Sequence, residues 1–352
     1  MNRNKKPVIA IIFGGCSPEY NVSLQSACSV IRNMDREKYT VVLIGISSQG
    51  GWYVFDGAIE SIASDTWHDV RHCTPVAISP DRTNPCLLLL KENTVQKLHI
   101  DAAFPILHGR NGEDGTVQGL FELAGIPIIG CGTLSSALCM DKDRAHKLVK
   151  SAGIDVPDSF TLTDIDNLPL ILQQAHSIGY PLFVKPVKAG SSYGITKVSS
   201  PDKLPSAIAS AKQYDSAILI EACISGFEVG CAIVGNDKLI TGEVDEIELS
   251  EGFFDFHEKY TLKTSAIHVP ARIDSETSAR IKQLAETIYK VLDCRGFARV
   301  DLFLSESGRI LFNEVNTIPG FTTHSRFPGM LKAAGLTFEQ IIDSVVETAL
   351  KR

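Results

Sequence analysis

The chain has 352 residues, 44% apolar and 21% charged, the make-up of a folded enzyme of two or three domains and not of a disordered or fibrous chain. With 34 Lys and Arg against 41 Asp and Glu the net charge is −7, so no overall field draws it to nucleic acid or to an anionic membrane. Nine cysteines, an odd number without a CxxC pair, suggest neither a disulfide framework nor a zinc site and fit a reducing cytosol.

Lys5-Lys6 precede an apolar run, but Val8 to Phe13 is too short for a signal segment and reads as a buried first strand. With no transmembrane candidate, a soluble cytoplasmic protein is expected. Gly14-Gly15 turn the chain, and Ser17-Pro18 read as an N-cap with proline at the first helical position, which puts Glu19 in the first turn. A helix through Val22, Leu24, Ala27, Val30 and Ile31 follows, then buried strands at Thr40 to Ile46 and Ala102 to Leu107. A helix over Thr116 to Ala124 leads to a short strand at Ile126 to Ile129. This alternation predicts a parallel, helix-covered sheet. Residues 50 to 100 give no clear pattern.

Gly130-Cys131-Gly132 marks a domain boundary. Beyond it the pattern predicts a helix over Asp143 to Ser151, a strand at Leu182 to Val187 and a glycine-rich turn at Ala189 to Gly194. A helix near Lys203 to Lys212 and a strand at Ala217 to Ala222 come next. A polar segment Glu248 to Ser265, a helix Glu276 to Leu292, a hairpin Phe297 to Asn316 and a closing helix from Phe338 complete the chain.

The hairpin carries the strongest chemical signal. Alternation puts Arg299 with Asp301 on one face of its first strand and Glu314 with Asn316 on one face of its second. A four-residue turn at Ser305 to Gly308 would set Arg299 opposite Glu314 and Asp301 opposite Phe312, so the four polar groups converge. Two carboxylates and an amide oxygen form a hard-oxygen set suited to Mg²⁺. A solvated sheet face with an Arg–Glu pair is the plain alternative. The strand runs on into Thr317-Ile318-Pro319-Gly320, a rigid turn whose N–H groups could face the same site, and this favours function.

Lys185, at a strand end before Gly190-Ser191-Ser192, can place an ammonium and several donors around phosphates, although no GxxxxGK[ST] is present. Glu19 either complements the helix dipole or holds a ligand. His108 to Gly115 is a polar, glycine-rich loop at a strand end, where open α/β sheets bind ligands. Phe253 to Tyr260 reads as a lid or a packed loop.

Taken together these residues resemble the D-alanine–D-alanine ligase family of ATP-grasp enzymes. The resemblance runs through Phe13-Gly14-Gly15 with Glu19, His108 to Gly119, Met140-Asp141-Lys142, Lys185-Pro186, Gly190-Ser191-Ser192, Glu258-Lys259-Tyr260, Arg299-Val300-Asp301, Asn313-Glu314-Val315-Asn316 and Pro319-Gly320, in that order. It implies an α/β fold, α+β in the ATP-binding lobes, of three domains with a Rossmann-like parallel sheet at the N-terminus. Residues 1–130 would be the substrate-binding domain, 131–223 the central ATP-grasp domain and 224–352 the C-terminal catalytic domain.

The resemblance further implies ATP with Mg²⁺, or Mn²⁺ in its place, and a homodimer. Lys142, Lys185, Ser192 and Lys259 would serve the phosphates, and Glu221 and Glu228 the adenosine. Asp301, Glu314 and Asn316 would hold the metal. Glu19, tied to Ser191 and Tyr260, would grip the first D-alanine, with His108 near its carboxylate. Arg299 and the Gly320 N–H would face the oxyanion, a contribution of roughly 3–4 kcal/mol per donor in comparable sites. Ser325 would hold the second substrate's carboxylate.

Two features bear on that second substrate: Arg326, where housekeeping ligases usually carry an aliphatic residue, and Phe254, where they often carry Tyr. Both are similar to the glycopeptide-resistance branch. Within it, D-lactate-using members lack the Glu-Lys-Tyr lid, so retention of Glu258-Lys259-Tyr260 resembles the D-alanine–D-serine ligases of the VanC, VanE and VanG type, VanG most of all. Arg326 would bind the D-serine hydroxyl directly or through its neighbours. A housekeeping D-alanine–D-alanine ligase, another ATP-grasp ligase and a non-catalytic nucleotide-binding protein remain the alternatives.

Overall fold

The computed structural model describes residues 5–163, 167–190, 193–249 and 265–351. Its first strand, β1 (Val8–Gly14), is buried because it lies inside a sheet covered on both faces. Ile9, Ile11 and Phe13 enter one apolar cluster and Ala10 and Ile12 another, as a period of two requires. Helix α1 (Tyr20–Asn33) covers the first face, and β2 (Thr40–Ile46) runs parallel to β1. There follow β3 (Trp52–Phe55), α2 (Ile59–Ala63), β4 (Cys73–Ile78), β5 (Leu87–Lys91), β6 (Thr94–Leu98) and β7 (Ala102–Pro105).

The sheet order is β6-β5-β4-β3-β2-β1-β7, and only β2, β1 and β7 are parallel. Residues 50–100, which gave no clear pattern, form an antiparallel meander that extends the parallel strands. A parallel return needs a crossover of a dozen or more residues, usually a helix. Here α2 has only five residues, so the strands turn back on each other. The expected strand at Ile126 to Ile129 makes a single bridge, Ile128 to Ala103.

Helix α3 (Thr116–Ala124) covers the second face and stops at Gly125, whose φ of 72° suits glycine. Next are α4 (Thr133–Met140) and α5 (Lys142–Ser151), the latter capped by Asp141, whose carboxylate accepts from the Arg144 N–H at 3.0 Å. A second sheet, β10-β9-β11-β8, is built from β8 (Ser159–Leu162), β9 (Leu182–Pro186), β10 (Thr196–Val198) and β11 (Ile218–Ala222). Between these strands lie α6 (Leu168–Ile178) and α7 (Leu204–Ala211), which close its core around Val184, Ile208 and Ile220.

The third sheet contains β12 (Gly226–Gly235), β13 (Leu239–Thr241), β14 (Asp245–Leu249), β15 (Ser265–His268), β16 (Phe297–Ser305) and β17 (Ile310–Asn316). Its order is β15-β14-β12-β16-β17, with β13 beside β12. Helix α8 (Ser275–Val291) packs on it, and α4 and α5 contribute Cys139, Ala145 and Val149 to the core that holds Val300 and Phe312.

Two last helices, α9 (Arg326–Ala333) and α10 (Phe338–Leu350), fold back and bury Phe327, Met330, Ile341 and Val345 in the cluster under the first sheet. Phe321 sits at the join, its ring 6.0 Å from Phe104, 5.8 Å from Phe297 and 5.4 Å from Phe327. Each buried aromatic of this kind contributes about 1.5–3 kcal/mol. The chain after β17 is thereby fastened to the first lobe. Helices α2, α4, α6 and α9 were not anticipated from the sequence. No helix among the described residues is long and apolar enough to cross a membrane.

Candidate active site

The β16–β17 hairpin departs from the expected register twice. Its loop holds three residues between Ser305 and Arg309, closed by the Ser305 N–H to the Arg309 carbonyl at 2.9 Å, with Gly308 at φ 78°. A bulge at Asn313 then adds one more residue, so Asp301 pairs with Glu314 and Arg299 with Asn316. Each slip alone would reverse the face, but two restore it. The expected partners were wrong and the expected convergence of Arg299, Asp301, Glu314 and Asn316 is right.

These side chains interact closely. Arg299 grips Asp301 through Nε at 2.8 Å and Nη2 at 2.6 Å, and Asn316 donates to Asp301 Oδ2 at 2.9 Å. Burial works against the charge on Arg299, but Asp301 beside it outweighs that and its pKa rises. Glu314 lies 3.4 Å from the Lys142 ammonium, which also donates to the Ala189 carbonyl at 2.9 Å. The donor set consists of hard oxygens on two facing strands and fits a divalent cation such as Mg²⁺.

Arg326 lies in the same patch. Its Nε and Nη2 bind Asp245 at 2.7 and 2.8 Å, Nη1 binds Glu228 at 2.7 Å, and Nη2 stands 3.4 Å from Asp301. The guanidinium is buried, which disfavours its charge, yet Asp245 and Asp301 hold its pKa well above the usual arginine value. Gly230 makes room for it, since a Cβ there would be 2.5 Å from Nη2. The direct reading, in which these donors reach a substrate hydroxyl, is corrected: they are committed to carboxylates. Asp245 and Gly230 were missed in the sequence, where only the acidic run Asp245-Glu246-Ile247-Glu248 hinted at Asp245.

The first lobe brings Glu19 and His108 to the same cleft. Helix α1 begins two residues later than expected, so Glu19 is its N-cap and not part of its first turn. The cause is Ser17, whose hydroxyl donates to the His108 carbonyl at 2.7 Å and accepts from the Glu19 N–H at 3.1 Å. The Glu19 carboxylate lies against the backbone of Gly109 and Gly190, where a Cβ on Gly190 would be 3.1 Å from Oε2. His108 is buried, which lowers its pKa and keeps it neutral. Its Nδ1–H donates to the Ile318 carbonyl at 2.9 Å, and Nε2 meets the Ser26 hydroxyl at 3.3 Å.

The loop after His108 adds Glu113, which the sequence reading passed over. It accepts from the N–H of Gly109 at 2.8 Å and of Ile318 at 3.2 Å. Burial, reinforced by Glu19, pushes its pKa up to about 8. Across the cleft Ser325 accepts from the Thr322 N–H at 3.0 Å, and its hydroxyl would be 3.0 Å from a Cβ on Gly320. A cavity of about 930 Å³ lies beside the His108 loop, walled by Gly15, Trp52, Leu107, Arg110, Val117 and Leu123. His108 also lines it, and none of the hairpin's polar groups does.

Lys185 on β9 is paired with Glu221 on β11, both buried, and its ammonium stands 5.7 Å from the Phe183 ring centre. The other oxygen of Glu221, Oε2, is buried with no partner among the described residues, an orphan acceptor suited to a donor on a bound nucleotide. Glu228, expected near the adenosine, accepts from Arg326 Nη1 at 2.7 Å. Ser191, Ser192, Phe254, Lys259 and Tyr260 fall outside the described residues.

The comparisons agree with this geometry. Residues 8–131 match the family model for the D-ala D-ala ligase N-terminus and residues 148–347 that for its C-terminus. The chain is 47% identical to the vancomycin B-type resistance protein VanB of Enterococcus faecalis, over 100% of both chains. It is 43% identical to a D-alanine–D-alanine ligase of Caldicellulosiruptor bescii, over 98% of this chain and 95% of the other. The crystal structure of the VanG D-Ala:D-Ser ligase from Enterococcus faecalis superposes with a TM-score of 0.91 at 53% identity, covering 98% of this chain and 100% of that one. The fold, the converging carboxylates and these matches lead to one assignment: the chain belongs to the D-alanine–D-alanine ligase family and is an ATP-dependent ligase.

Proposed function

We propose that the protein joins D-alanine to D-serine through a D-alanyl phosphate, giving a dipeptide for peptidoglycan precursors of the vancomycin-resistant kind. The observation that carries the ligase reading is one cleft in which Glu19 and His108 from the first lobe face Arg299, Asp301, Glu314, Asn316 and the Gly320 turn from the third sheet. The D-serine reading draws support from the likeness to VanG.

A carboxylate is a poor electrophile. In the first step its oxygen attacks the γ-phosphorus of ATP and ADP leaves, with Lys142 and Lys185 moving from Glu314 and Glu221 to phosphate oxygens. Mg²⁺, when held by Asp301, Glu314 and Asn316, would neutralise charge on those oxygens. Glu19 orients the D-alanine ammonium. In the second step the free amine of D-serine attacks the acyl carbon, loses a proton, and inorganic phosphate departs. Arg299 and the Gly320 N–H stabilise the oxyanion between attack and departure. Arg326 acts on the second substrate through the neighbours it holds, and Ser325 takes that substrate's carboxylate.

The test is phosphate release and product mass with purified protein, ATP, Mg²⁺ and D-alanine, with and without D-serine. Dominant D-alanyl-D-serine near neutral pH supports the proposal. Dominant D-alanyl-D-alanine would overturn the specificity and keep the mechanism, and absence of both products would overturn the mechanism as well.

A further inference from the structure

The turn after β17 is held almost entirely by the first lobe. The Ile318 N–H goes to Glu113 Oε1 and the Ile318 carbonyl receives the His108 Nδ1–H. Pro319 has no N–H. The Phe321 N–H goes to the Ser26 hydroxyl at 3.3 Å, and Ser26 in turn meets His108 Nε2. Of the peptide N–H groups from Ile318 to Phe321, Gly320's alone has no acceptor among the described residues. The Phe321 ring, fully buried among Phe104, Phe297 and Phe327, fixes the far end of the turn.

We propose that Glu113 is a positioning residue, clamping the Ile318–Phe321 turn to the His108 loop so that the Gly320 N–H is aimed at the oxyanion before substrate arrives. The inference rests on the proposed role of Gly320. One carboxylate spans both lobes here: Oε2 holds Gly109, whose backbone borders Glu19, and Oε1 holds the oxyanion turn. Both oxygens of Glu113 are taken up by peptide N–H groups, so it acts through the peptides it holds. Ser26 completes the clamp from α1, bonding the peptide on the other side of Gly320. A preorganised donor costs no reorganisation as charge develops, so the benefit falls on the step that forms the oxyanion.

Glu113→Gln keeps the size but turns one acceptor into a donor facing a peptide N–H. The experiment separates the two chemical steps. Acyl phosphate formation is read as D-alanine-dependent positional isotope exchange in ATP, and amide formation as dipeptide under saturating second substrate. Glu113→Gln is expected to keep isotope exchange within about twofold of wild type, while dipeptide formation falls about tenfold to a hundredfold, the span typical of a supporting group and below the loss of an oxyanion donor itself. Ser26→Ala, which loosens the other side of the clamp, should show the same split more weakly.

Equal losses in both steps in both variants would overturn the inference in favour of a merely structural role, as would unchanged dipeptide formation in both. If Glu113→Gln does not fold, Ser26→Ala alone decides. If the wild-type protein shows no isotope exchange, the functional reading fails, and this inference with it. Wild-type exchange with no split in the variants overturns the inference alone.

Discussion

Replacing Gly230 by alanine tests whether the buried Arg326 guanidinium supports Asp301, the proposed metal ligand. Gly230 lies on β12 opposite Asp301 of β16 on one side and Asp245 of β14 on the other. A Cβ at this position would stand 2.5 Å from Arg326 Nη2, 2.7 Å from Asp245 Oδ1 and 2.9 Å from Asp301 Oδ1, where ordinary contact begins at 3.4 Å. Each group must retreat by about 0.5 to 0.9 Å to escape the repulsive wall. Asp245 and Asp301 both face the same guanidinium, so they cannot all retreat and stay paired. Overpacking by one methyl costs about 1–3 kcal/mol. Weakening one charge-assisted buried hydrogen bond adds about 1.5–3 kcal/mol.

The assay has two readouts. Thermal unfolding of Gly230→Ala should drop by about 2–4 °C for each kcal/mol lost. The Mg²⁺ concentration for half-maximal ligation should rise about tenfold, as happens when a support of a metal ligand is displaced. Gly119→Ala is the control. Gly119 lies inside α3 and its new Cβ would meet nothing nearer than 3.6 Å, so that variant should gain about 0.5–1 kcal/mol. A Gly230→Ala protein with wild-type melting and wild-type Mg²⁺ dependence would refute the reasoning.

Glu314→Gln should nearly abolish turnover while leaving the melting temperature close to wild type, and near-normal activity would remove Glu314 from the metal set. Arg326→Leu should shift the product ratio from D-alanyl-D-serine towards D-alanyl-D-alanine, and it should cost about 3–5 kcal/mol of stability because the buried Asp245 loses the guanidinium that holds it. An unchanged ratio would discard Arg326 as a determinant. Glu113 has its folded pKa raised from an ordinary carboxylate value to about 8, so its contribution is fully present below the ordinary value and lost as pH rises through 8. Wild type should therefore lose stability relative to Glu113→Gln between about pH 4.5 and 8 in denaturant titrations, and a pH-independent difference would contradict the assigned burial.

Local pattern carried much of this fold. The strand at Thr40 to Ile46, the helix at Thr116 to Ala124 and the start of the last helix at Phe338 were readable because burial on one or both faces leaves a strong period. The meander at 50–100 was not, because its outer strands expose Leu90 on β5 and Val95 on β6, and the edge strand β6 is exposed along nearly its whole length. Register was also hidden. A bulge at Asn313 has no local signature, since it satisfies a tertiary demand: the Asn313 carbonyl accepts from His146 Nε2 at 2.8 Å. Residue types at the site were legible, but the direction of Arg326 was not. An arginine one residue past Ser325 reads as a substrate contact until β14 brings Asp245 beneath it.

That placement changes how second-substrate specificity and metal binding relate. Arg326 opens α9 immediately after Ser325, the residue proposed for the second substrate's carboxylate, yet its guanidinium reaches down to Asp245, Glu228 and the proposed metal ligand Asp301. Arg299 reaches the same Asp301 from the side of the oxyanion. Asp301 is thus held by two arginines, one proposed to face the oxyanion and one that follows Ser325. A substitution at position 326 must then change two things together: the shape of the pocket and the balance of charge around Asp301. An aliphatic residue there would leave Asp245 a buried, unpartnered carboxylate, so an ancestor or variant with such a residue needs a compensating change at Asp245 or Gly230. Testing Arg326→Leu with Asp245→Asn separates the roles: restored Mg²⁺ dependence with a still-shifted product ratio assigns metal support to the charge cluster and specificity to the pocket wall.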